Sequence, residues 1–122
     1  MFTSTVKELI KVAKQAGITF QWIENLPQGA IGRYLERSIS IKKGLTEQQA
    51  QEVIVHELAH AFWLLSLSTG SRKRFKDMRC SLAKAAWISL KYPYNMWEEE
   101  SFAYYMEDKP DRLLTMFKTM VK

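Results

Sequence analysis

Cysteine is almost absent from the 122-residue chain: Cys80 stands alone, so no internal disulfide can form. That excludes a disulfide-stapled scaffold and points to the cytoplasm as the compartment. Three prolines and five glycines are too few for a fibre or a flexible linker, and nothing repeats at a fixed period. No apolar run reaches the roughly 18 residues that a membrane span needs. The longest candidate, Val53 to Leu67, is broken by His56, Glu57 and His60. The opening stretch has the pattern of an amphipathic helix and lacks the apolar core and cleavage site of a secretory leader. Only two histidines occur, and neither a glycine-rich phosphate loop nor a serine-histidine-aspartate set is present.

What remains is a globular composition, 47% hydrophobic and 25% charged, of a length that suits one domain over residues 1–122. The net charge of +5 is concentrated between Arg72 and Lys91, where Arg72, Lys73, Arg74, Lys76, Arg79, Lys84 and Lys91 face Asp77 alone. A patch of this kind is either the solvated face of a helix or a surface for phosphate or an acidic protein.

Periodicity predicts an α+β fold: one helix, a small antiparallel sheet, then four helices. Thr3 or Ser4 caps the first helix, in which Val6, Leu9, Ile10 and Ala13 recur at helical spacing, and Gly17 ends it. Ile18 to Ile23 reads as a strand, and Ile31 to Leu35 with Ser38 to Ile41 reads as a hairpin about Glu36 and Arg37. Thr46-Glu-Gln-Gln49 fits a capping box opening a helix from Glu47 to about Ser68, with Gly70 as its end. A further helix is expected from Arg72 to about Leu90, with Phe75, Met78, Leu82, Ala85, Ala86 and Ser89 on one face. Asn95 is expected to cap a helix running to about Glu107, and Pro110 to open a last one bearing Leu113, Leu114, Phe117 and Val121.

His56-Glu57-Leu58-Ala59-His60 carries the chemistry. Histidines at i and i+4 share a helix face, so both imidazoles can reach one ion. Glu57 lies one step round, where a carboxylate can take a proton from water beside that ion. By average composition the motif should arise by chance in only a few per thousand chains of this length. Here its three polar residues sit in an otherwise apolar run, Val53 to Leu65, which marks a buried helix. Burying three ionisable groups is expensive unless something pairs them, and zinc is the ion that two imidazoles and a carboxylate suit.

A third protein ligand must be a carboxylate, because no histidine remains and Cys80 lies apart. Trp97-Glu98-Glu99-Glu100-Ser101-Phe102-Ala103-Tyr104 offers three. Glu98 falls at the capping-box position after Asn95. Glu100 has the small Ala103 one turn on, which lets its helix lie close against the first, and it is preferred; Glu99, on the face of Phe102, Ala103 and Met106, is its rival.

HELAH followed by a Glu-x-x-Ala helix resembles the zincin metallopeptidases of the gluzincin type. HELAHAFW with EEESFAY is most similar to the compact ImmA/IrrE-like and phage-encoded metallopeptidases. The resemblance spans roughly Ile31 to Met106, and it implies a minimal zincin-like fold and hydrolysis of a peptide bond in a cytoplasmic protein. It also implies that His56 and His60 are zinc ligands, Glu57 the general base and a glutamate of the second motif the third ligand. Such sequences usually read Glu-x-Glu-Ala-Asn-x-Phe-Ala; the stretch here is shorter, which keeps Glu98 open as a ligand. A monomer acting on a peptide or protein is expected, with no membrane partner. The other reading is a zincin-fold binding module whose basic helix 72–91 contacts nucleic acid or an acidic protein. An edge strand, expected at Ser38 to Ile41, would hold an extended peptide. A donor to the developing oxyanion is needed, and Tyr92, Tyr94, Tyr104 and Tyr105 are all candidates.

Overall fold

The computed structural model describes residues 2–65 and 80–121. Helix α1 (Ser4–Gln15) starts where the Thr3 hydroxyl accepts the Val6 amide, and it buries Val6, Leu9, Val12 and Ala13. Gly17, at φ +88°, ends it in the left-handed conformation that glycine adopts without strain. Strand β1 (Thr19–Ile23) follows, and a turn at Pro27–Gly29 leads into β2 (Gly32–Leu35) and β3 (Ser38–Lys42). Glu36 and Arg37 both take positive φ, 50° and 67°, the mirror-image turn that matches strand twist in a two-residue hairpin.

The sheet is mixed rather than antiparallel, with the order β1-β3-β2. β1 runs parallel to β3, pairing Thr19 with Ser38 through Ile23 with Lys42, and β2 runs antiparallel to it. Ser38 to Ile41 is therefore the centre of the sheet and not its edge. The reason is burial: Ile39 and Ile41 are fully buried, whereas β1 and β2 leave Trp22 and Leu35 largely exposed. The most apolar strand gains most from having neighbours on both sides.

Helix α2 (Glu47–Leu65) begins with the expected capping box, in which Thr46 Oγ1 accepts the Gln49 amide and Gln49 Oε1 accepts the Thr46 amide, each at 3.1 Å. The expected end at Ser68 or Gly70 lies outside the described residues. α2 packs on β2 and β3 on one side and on α4 (Trp97–Met106) and α5 (Pro110–Val121) on the other, while α5 lies along α1. Leu9, Ile39, Ile54, Leu58, Phe102, Leu113 and Phe117 meet in one core.

The expected helix from Arg72 to Leu90 is not continuous. Residues 72–79, with Phe75, Met78 and most of the basic charge, lie outside the described residues. Helix α3 (Leu82–Lys91) starts at Ser81, whose backbone is extended and whose hydroxyl accepts the Lys84 amide. A serine offering that bond competes with helix continuation. The buried residue of α3 is Ile88, not the expected face; Leu82 is 91% exposed. Asn95 does not cap α4 either. Tyr94–Met96 forms a single 3-10 turn, and the Trp97 indole donates to the Tyr92 carbonyl at 2.9 Å, tying the turn to the end of α3. Met96 takes the capping position without a side-chain bond, so Glu98 has no capping-box role and is exposed. Among the described residues, no helix is long and apolar enough to cross a membrane.

Candidate metal centre

His56 and His60 project from the same face of α2 toward α4, as the i, i+4 spacing requires. Their Nε2 atoms stand 3.3 Å apart. From α4, the Glu100 carboxylate enters between them, with Oε1 at 3.5 Å from His56 Nε2 and Oε2 at 3.1 Å from His60 Nε2. Donors about 2.0–2.1 Å from a tetrahedral ion stand about 3.3–3.4 Å from one another. The three observed separations bracket that value, so His56, His60 and Glu100 form one face of a tetrahedron that could hold a metal ion. Glu100 is only 3% exposed, and its Oε1 has no hydrogen-bond partner, so this buried oxygen fits the role of a ligand to a cation.

The outer nitrogens are held as well. His60 Nδ1 meets Glu99 Oε2 at 2.6 Å, and His56 Nδ1 meets Glu107 Oε2 at 3.0 Å. A carboxylate behind each imidazole fixes the tautomer that presents Nε2 inward and raises its basicity. Glu99 is thus placed behind His60 rather than at the shared point, and Glu98 takes no part. The sequence reading missed Glu107 altogether; an acid at a helix end carries no local signal of a partner 51 residues away.

Electrostatics show how strongly this cluster favours positive charge. Burial works against a proton on His60, but the hydrogen bonds it donates to the Glu100 and Glu99 carboxylates outweigh it and push its pKa up to about 10. His56 is shifted upward too, burial again opposing and Glu100 and Glu107 prevailing. Burial would raise Glu100, yet the two imidazoles pull it down to about 2. A divalent cation at the same point would satisfy the carboxylates that favour this positive charge.

Glu57 lines the same space as His56 and lies against β2. A Cβ on Gly32 would overlap the Val53 side chain and stand 3.2 Å from Glu57 Oε2, so only glycine lets the strand lie this close. Burial raises the Glu57 pKa, opposed by His60 and His56. In front of these residues runs a cleft in two lobes. One, of about 410 Å³, is walled by Ile31, Glu52, Val53, Tyr104 and Glu107. The other, of about 250 Å³, is walled by Arg33, Tyr34, Leu64, Met96 and Glu99. The tyrosines divide sharply. Tyr92 and Tyr104 reach the cleft, whereas Tyr94 is 80% exposed beside Trp97 and the Tyr105 hydroxyl accepts from Arg112 at 2.6 Å. Burial raises the pKa of both Tyr92 and Tyr104.

No family model matches the chain, and no significant likeness to a curated protein or to a solved structure is found.

Proposed function

We propose that the protein is a zinc-dependent peptidase of minimal zincin-like, gluzincin type, with His56, His60 and Glu100 as the metal ligands and Glu57 as the general base. The observation that carries this reading is the convergence of two Nε2 atoms and one buried carboxylate at 3.1–3.5 Å, beside a second carboxylate that faces an open cleft. Two nitrogens and an oxygen with one position left free are the donor set of catalytic zinc, while closed structural sites favour cysteine. Zinc bound there would polarise a carbonyl and bring the pKa of water to near 7.

The chain's own residues supply the rest. An extended peptide would lie along β2, which is an edge strand next to the cleft. Glu57 accepts a proton from the attacking water as its oxygen bonds to the carbonyl carbon. Glu57 then returns that proton to the amide nitrogen as the carbon–nitrogen bond breaks, releasing an amine and a carboxylic acid, whose remaining proton passes to the amine to give a carboxylate and an ammonium group. Burial of Glu57 suits the role, because raising a carboxylate's pKa makes it a stronger base toward water and a proton donor to the leaving nitrogen. Glu99 and Glu107 orient the imidazoles throughout.

The test pairs metal analysis with cleavage of a mixed-sequence peptide library read by mass spectrometry. Wild type should hold about one zinc per chain. Glu57→Gln should hold as much while losing cleavage by about 10²–10⁴-fold. A wild type that takes up no zinc, or a variant that cleaves equally well, sinks the proposal.

A further inference from the structure

The two lobes of the cleft differ in chemistry. The smaller is walled by Tyr34, Leu64 and Met96 with Arg33 beside them, and its acids Glu99 and Glu100 are taken up by the imidazoles. The larger, of about 410 Å³, carries Glu52 and Glu107 and, among the described residues that line it, no lysine or arginine. Lys84 is held over the Trp87 and Tyr104 rings and does not line the lobe. Both lobes meet at His56 and Glu57, so a peptide lying across them has its reacting bond at that junction and a side chain in each lobe. We propose that the larger lobe takes the side chain of a lysine or arginine next to the scissile bond, so that the substrates are peptides with a basic residue there. This rests on the peptidase reading above.

The fit follows from spacing along α2. Glu52, His56 and His60 recur at i, i+4 and i+8 and share one face of the helix. Glu52 therefore stands one turn, about 6 Å, before the ligand, and a residue held beside the metal reaches it only with a long side chain. Ile31, Val53 and the Tyr104 ring give the lobe apolar wall. Lysine and arginine have a methylene stem that covers such surface and a cation at its end. The acids keep capacity for that cation. Glu52 accepts from Gln48 at 3.3 Å through Oε1, and Glu107 meets His56 through Oε2, whereas a carboxylate can accept at both oxygens. An ion pair in partial contact with solvent is weak singly, worth up to about fivefold, so a preference of about tenfold draws on both acids.

Three blocked phosphinic dipeptides, which cannot be cleaved and anchor on zinc through the phosphinate, test this on the zinc-loaded protein. The parent carries norleucine, the lysine stem without its ammonium, on both sides; each of the others replaces one norleucine by lysine. One lysine compound should bind wild type about tenfold more tightly than the parent, and the gain should fade in high salt. Because Glu107 also orients His56, the variants are set at Glu52. Glu52→Gln should cut the gain to about threefold or less, and Glu52→Lys should turn it into a loss, with zinc content unchanged in both. Binding of the parent with no gain from either lysine removes this proposal alone, as does a gain that survives Glu52→Lys. Loss of zinc in Glu52→Gln also overturns it, since Glu52 would then support the metal site. A wild type that holds zinc and binds none of the compounds overturns it too, while a wild type without zinc removes the peptidase reading and this proposal together.

Discussion

Two helix interfaces in the same chain are built on opposite terms. Where α1 meets α5, Val6, Leu9, Val12, Leu113 and Phe117 are buried, and polar groups stay at the rim. Thr5 donates to Asp111 at 2.9 Å, and Lys118 pairs with Glu8 at 2.8 Å, both partly in solvent. Where α2 meets α4, Leu58, Phe102 and Met106 are joined by His56, His60, Glu99 and Glu100. The first interface gains stability from apolar area. The second sets part of that gain aside, because ionisable groups resist burial and a replacement by apolar residues would do no worse for stability alone. What that interface gains is a group, His56, His60 and Glu100, that could hold a metal ion.

The comparison breaks most visibly at the ligands. His60→Ala or Glu100→Ala should lose zinc almost entirely in metal analysis, since each removes one corner of the site. Glu98→Ala, an exposed neighbour, should keep it. If Glu99→Ala is the variant that abolishes uptake, the two carboxylates have exchanged roles. The converse holds at the other interface. Phe117 is fully buried and packs edge-on against Phe62, 5.4 Å away, so Phe117→Ala should cost about 3–5 kcal/mol in urea unfolding. It should nevertheless retain one zinc per chain.

Smaller effects sharpen the contrast. Glu99→Ala and Glu107→Ala leave the three ligands in place and remove the carboxylates behind the imidazoles. Each should weaken zinc binding by about 10–100-fold in a competitive chelator titration, with stoichiometry preserved. Smallest of all is the rim of the α1–α5 interface. Lys118→Ala breaks an ion pair whose partners are both about half exposed, and its cost should stay within about 1 kcal/mol and vanish in high salt.

Several parts of this architecture were readable from local sequence because their causes are local. The capping box at Thr46 works through bonds between residues three apart, and both are present. The turn at Glu36 and Arg37 follows from two short strand patterns with two residues between them. The i, i+4 histidines needed only a helix to share a face. Local reading failed where two local signals competed. Ser81 caps the start of a helix within a run that periodicity made continuous, and Asn95 lies in a 3-10 turn held by the Trp97 indole instead of capping α4.

The sequence by itself determined the motif, the helix that carries it and the kind of ligand that could complete it. Tertiary structure decided which carboxylate that is. Consecutive helix residues point about 100° apart, so the rotation of α4 against α2 alone selects Glu100 for the shared point and Glu99 for the back of His60. It also decided that β3 is central and β2 the edge beside the cleft, and that Glu107 and Tyr92 join the site. These depend on the packing of residues distant in the chain, and no pattern within one segment records how that segment is turned against another.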